Sequence, residues 1–86
     1  MAAYTEKTSN FLKGVKHQKH WESRYSPGEK VPYSGIYRCV ICGKEVTCNN
    51  GDPLPPQNDS QHKSCKDIKW QLIVRTDTEG NNFSLS

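Results

Sequence analysis

Ile68, Trp70, Leu72 and Val74 alternate with Lys69, Gln71, Ile73 and Arg75, and this period of two predicts a strand with one apolar and one largely polar face. Ile36-Tyr37-Arg38-Cys39 reads as a second strand. Lys44-Glu45-Val46-Thr47-Cys48 reads as its antiparallel return, closed at Asn49-Asn50-Gly51-Asp52, so the two make a hairpin. Pro53-Leu54-Pro55-Pro56 cannot continue a ladder and reads as a stiff crossing. Upstream, Phe11, Leu12, Val15, Trp21 and Tyr25 follow a patchy helical period interrupted by Gly14. They predict a short helix between Asn10 and Tyr25, ended by Ser26-Pro27-Gly28. The chain thus divides into a flexible or partly helical N-terminal segment (1–26), an ordered domain (27–75) and a disordered C-terminal tail (76–86).

The apolar pattern is thin. Of 86 residues only 33% are hydrophobic, and a chain this short is expected to need a staple beyond its core. Cys39-Val40-Ile41-Cys42-Gly43 and His62-Lys63-Ser64-Cys65 supply one, since each is a ligand-x2-ligand pair and nineteen residues lie between them. Two such pairs at this separation can close four donors around one tetrahedral ion, and zinc (Zn2+) is the expected occupant. Gly43 suits the first pair because the residue after such a turn often needs φ > 0. The expected ligands are therefore Cys39, Cys42, His62 and Cys65, with Cys48 as the competing fourth donor. Cys48 sits at the far end of the return strand, about 3.3 Å further off with each residue, which favours His62. A structural zinc site contributes about 10–16 kcal/mol in finger peptides, so metal loading and folding are expected to be one event.

Three thiolates and one neutral imidazole leave the site at minus one, and Arg38, Lys44, Lys63 and Lys66 flank the ligands in sequence. A closed four-ligand shell has no open position for water or substrate. It points to structure, not to an enzyme. A redox dithiol is the third-ranked use of Cys39 and Cys42, because that chemistry normally sits at a helix N-terminus in a βαβ setting and strands flank this pair. His17 and His20 could share one helix face, but without a second ligand pair they read as polar surface.

The formal net charge is +3, and residues 1–30 hold six Lys/Arg against three Glu. This bias is too mild for a nucleic-acid signature. Lys13, Lys16 and Lys19 are nevertheless the residues that would meet phosphates if the chain bound nucleic acid, and Tyr25, Tyr33, Tyr37 and Trp70 could stack on bases. Tyr37 and Trp70 are more simply core. A protein-interaction module, drawing on apolar residues such as Ile73 and an unidentified protein partner, is the preferred reading. No stretch approaches a membrane span and the N-terminus lacks a secretory h-region, which sets a cytoplasmic expectation in which thiols stay reduced.

The run Pro27-Gly28-Glu29-Lys30-Val31-Pro32-Tyr33-Ser34-Gly35-Ile36-Tyr37-Arg38-Cys39-Val40-Ile41-Cys42-Gly43, then Gly51-Asp52-Pro53-Leu54-Pro55-Pro56 and Trp70, resembles a group of small bacterial zinc-ribbon proteins of uncharacterised function. Their pattern is P-G-x-x-x-P-x-(S/T)-G-x-Y-x-C-x-x-C-G, a return strand, G-D-x-x-P-P, a second ligand pair and a Trp-bearing strand. The likeness covers residues 27–75. One departure is plain: the pattern places a cysteine directly after Pro-Pro, where this chain has Gln57. The resemblance implies a small, mostly β zinc ribbon, with a metal-tipped hairpin and a third strand, and implies no substrate or reaction.

Overall fold

A computed structural model describes residues 1–55 and 68–80 of the chain. The predicted hairpin forms as β1 (Gly35–Cys39) and β2 (Glu45–Cys48), and the alternating segment forms β3 (Trp70–Arg75). All pairing is antiparallel. β1 lies in the middle, with β2 on one edge and β3 on the other.

The inward face of this sheet follows from the period of two. On β1 it carries Gly35, Tyr37 and Cys39, each buried, while Ile36 and Arg38 point to the other face. The register sets Tyr37 against Val46 and Gly35 against Cys48 on one side, and Cys39 against Trp70 and Tyr37 against Leu72 on the other. Tyr37 and Cys39 are wholly buried, and Trp70 nearly so. A second ribbon covers them. Residues 28–31 run antiparallel to 51–54, bonded from Val31 N–H to Asp52 O (3.1 Å), from Leu54 N–H to Glu29 O (2.9 Å) and from Gly28 N–H to Leu54 O (3.1 Å). This ribbon brings Val31 and Leu54 into the core, joined by Ile68. Pro53 takes part only through an isolated bridge to Lys30, as a residue without an N–H must.

Val74 departs from the simple alternation. The β1–β3 register passes from Tyr37↔Leu72 to Ile36↔Val74, which leaves Ile73 as an extra, unpaired residue. The bulge shifts the pleat by one, so Trp70 and Leu72 are buried while Val74 is only half-buried. At this point the strands approach closely: a Cβ at Gly35 would overlap the Val74 carbonyl oxygen and lie 3.0 Å from Leu72 Cδ1.

The helix expected between Asn10 and Tyr25 does not form. Single 3-10 turns stand at Thr8–Phe11 and Lys19–Trp21, and residues 12–18 have no regular structure. Gly14 and the β-branched Val15 lower helix propensity, and Phe11, Leu12 and Val15 remain 88%, 52% and 42% exposed. An amphipathic helix needs such a face to be buried. Residues 19–26, by contrast, are tied to the sheet. Tyr25 and Trp70 exchange backbone hydrogen bonds at 2.8 Å in both directions, and the Gln71 side-chain amide donates to Trp21 O at 2.8 Å. The C-terminal segment 76–86 is described only to Gly80, with a turn in which Gly80 N–H donates to the Asp77 carboxylate.

Candidate functional site

Cys39 ends β1, and residues 40–43 turn the chain toward β2. The turn is closed by Gly43 N–H donating to Cys39 O (2.9 Å) and Cys39 N–H donating to Lys44 O (2.8 Å). Gly43 adopts φ 81°, the left-handed conformation expected of the residue after a two-thiol turn. Both thiols of the first pair therefore belong to one tight turn: Cys39 buried at the rim of the core beside Trp70, Cys42 exposed at the outer end. Val40 N–H donates to Lys69 O at 2.9 Å, which fastens the approach to β3 against this turn. His62 and Cys65 lie outside the described residues. Among the described residues no three His, Cys, Asp or Glu side chains gather in a metal-binding group. Cys39 and Cys42 are donors of the soft type zinc takes, carried on one turn.

Cys48 is placed elsewhere. It pairs with Gly35, at the opposite end of the hairpin from Cys39. Its Sγ lies 3.5 Å from Asp52 O and 3.6 Å from Pro53 O, beneath the second ribbon. Burial first, then the Asp52 carboxylate, push this thiol upward in pKa, so it stays protonated and acts as a small core side chain.

Of the cations flanking the thiol turn, Arg38 has a defined place. A Cβ on Gly43 would come within 2.8 Å of Arg38 Nη2, so the guanidinium lies over the bare glycine. Its Nη1 donates to Glu45 Oε2 at 2.7 Å, and the N-terminal amine lies 3.3 Å from the same oxygen. Desolvation raises the Glu45 pKa, but these two partners outweigh it and hold the carboxyl below its usual value. Arg38 thus braces the two sides of the turn as well as contributing charge beside it.

A second feature has no counterpart in any spacing rule. The His20 ring stacks 4.6 Å from Tyr33 and 5.4 Å from Trp21, and the Arg75 guanidinium lies 4.4 Å from the Tyr33 centroid. Residues 20, 33 and 75 are too far apart in sequence for local periodicity to join them. Beside this stack, a groove of about 700 Å3 runs between residues 11–18 and the outer edge of β3, lined among others by Phe11, Leu12, Val15 and Ile73. Lys13 and Lys16 line it as well, whereas Lys19 belongs to the adjacent 3-10 turn and is not on the lining. Among the described residues no helix is long and apolar enough to cross a membrane.

Fold and turn together define a small, three-stranded antiparallel β protein built around a two-thiol turn. No protein-family model and no solved structure matches the chain. It belongs to the family of Protein L of Escherichia coli, to which it is 59% identical over 86 residues, covering 99% of each chain.

Proposed function

We propose that this protein is a structural zinc-binding module of the bacterial cytoplasm that presents its surface to a protein partner. The observation that carries the reading is the closed turn holding Cys39 and Cys42, with Lys69 O bonded to Val40 against it. Cys65 stands three residues before Ile68 and His62 six, so both lie in sequence on the segment that leads to Lys69. Cys39, Cys42, His62 and Cys65 would hold the ion. Zinc bound there supplies a cross-link between the hairpin tip and the segment leading into β3, and it adds no reaction. The zinc-ribbon resemblance of residues 27–75 supports Cys39 and Cys42 as the first ligand pair.

Cys42 gives the sharpest test because it is exposed. If it were an ordinary surface residue, Cys42→Ser would change stability by no more than about 0.5 kcal/mol. The zinc reading expects the variant to lose the metal and its cooperative unfolding transition, while Cys48→Ser keeps both. Native mass spectrometry of the wild type should show one zinc, removed by chelation together with ordered structure. A chelated protein that keeps its fold, or a Cys42→Ser protein that still carries zinc, would defeat the proposal.

A further inference from the structure

We propose that the groove between residues 11–18 and β3 docks an extended acidic segment of a partner protein whose side chains alternate between acidic and apolar. This deepens the protein-interaction reading by giving it a surface and a chemistry.

Three observations meet there. The first is apolar surface that serves no core: Phe11 at the end of the first 3-10 turn and Leu12 and Val15 beyond it are exposed, and they line the groove with Ile73 of the β3 bulge. Exposed apolar side chains gathered around one concavity mark an interaction site, where scattered ones would not. The second is charge, since Lys13, Lys16 and Arg75 stand on the lining with Asp77 as the acidic member. The third is the strand edge. Tyr25 bridges the outer side of β3 at Trp70, and among the described residues no strand pairs with that edge further along. An open edge orders an extended ligand through backbone hydrogen bonds, while neighbouring side chains select every second residue.

Those three conditions select the occupant. A second copy of the chain would bring the same cations face to face, on a molecule already carrying +3. A nucleic acid would meet the lysines but would leave Phe11, Leu12 and Val15 without reward. An acidic, apolar-alternating strand complements both the positive charge of the lining and the apolar wall.

The test uses the full-length, zinc-loaded protein and a fluorescein-labelled peptide of alternating Glu and Val, with a Lys-for-Glu peptide as its counterpart. Half-buried Trp21 lines the groove and reports occupancy, whereas Trp70 is buried in the core. Saturable binding of the acidic peptide is expected, weakened at least about tenfold by Lys16→Glu, by Phe11→Ser and by the peptide's charge reversal. Both positions are exposed, so both variants should melt like the wild type. Lys30→Glu makes the same charge change away from the groove and should leave affinity within about twofold. The proposal falls if no saturable binding occurs, or if Lys30→Glu weakens binding as much as Lys16→Glu. It also falls if a generic RNA or DNA oligomer displaces the peptide with tighter affinity, or if sedimentation shows a dimer that Phe11→Ser dissolves. Zinc content read by native mass spectrometry on the same samples separates this outcome from failure of the metal reading.

Discussion

The sheet and the N-terminal arm handle apolar side chains in opposite ways. In β1, β2 and β3 the inner-face side chains Tyr37, Val46, Cys39, Trp70 and Leu72 have cross-strand neighbours, and Tyr37, Cys39 and Trp70 are closed off from water. Between Met1 and Gln18 the apolar residues Tyr4, Phe11, Leu12 and Val15 stay exposed, and local hydrogen bonds around Thr5–Ser9 and Leu12 are joined by the ion pair of the Met1 amine with Glu45. The arm packs onto the core at Trp21 and Tyr25, and stacking by His20 and backbone bonds from Tyr25 reach Tyr33 and Trp70. Stability therefore belongs to the sheet, the second ribbon and the thiol turn. The arm carries surface chemistry on a short anchor.

Two glycines set that contrast in one kind of substitution. Gly35→Ala must push β3 away, because its Cβ would overlap the Val74 carbonyl at the bulge. A loss of more than about 2 kcal/mol is expected in urea unfolding. Gly14 has no atom within 4 Å of its would-be Cβ, so Gly14→Ala should be within about 0.5 kcal/mol of wild type. Similar losses from both would mean that the arm carries as much of the fold as the sheet does.

The same contrast explains what could be read from the chain. β1 and the first half of β3 were legible because they bury alternate residues against a neighbour, and strand periodicity records that burial directly, whereas β2, with only Cys48 buried, was legible as the return of the hairpin. The thiol turn was legible through Cys39, Cys42 and Gly43, whose spacing and φ requirement are local properties. The arm misled, because Phe11, Leu12, Val15, Trp21 and Tyr25 at helical intervals are indistinguishable from a buried stripe until something is seen to cover it. Only Trp21 and Tyr25 pack on the core, and they do so through β3, not as a helix face. The bulge at Ile73 and the stack of His20, Tyr33 and Arg75 arise from tertiary contacts, which leave no periodic mark.

A smaller effect tests the sheet side alone. Tyr37 Oη donates to Tyr33 O at 2.6 Å inside the core, and Tyr37→Phe would leave that carbonyl without its donor, a cost of about 1–2 kcal/mol. Burial, with Tyr25 beside it, also pushes the Tyr37 phenol up to about 12 from an ordinary 10.0. A raised folded-state pKa means the contribution is fully present below pH 10.0 and is lost as pH climbs toward about 12. The stability of Tyr37→Phe should therefore fall less steeply than wild type over that window. Parallel curves would mean the phenol is not held as the core geometry implies.

The smallest expected effect lies at the joint between the two regions. His20 Nε2 is buried with no hydrogen-bond partner among the described residues, and its ring lies against those of Trp21 and Tyr33. Desolvation, then Arg75, then His17 lower its pKa below the ordinary 6.5, while the Glu22 carboxylate lies 3.5 Å from His17 and not on His20. With the folded-state pKa depressed, the neutral ring is the form the fold accepts. Its contribution is present above pH 6.5 and is lost as acid protonates the ring in the folded state. His20→Phe keeps an aromatic ring in the stack and removes the titration. The difference in melting temperature between wild type and variant should therefore shift in the variant's favour as pH falls from about 7 to about 5. Acid effects on groups other than His20 are shared by both proteins and cancel in that difference. An NMR titration should place His20 below 6.5. If it titrates at 6.5 or above, the ring is open to water, the anchor at Tyr33 is not closed, and the division between a held joint and a free arm moves from residue 19 toward Tyr25.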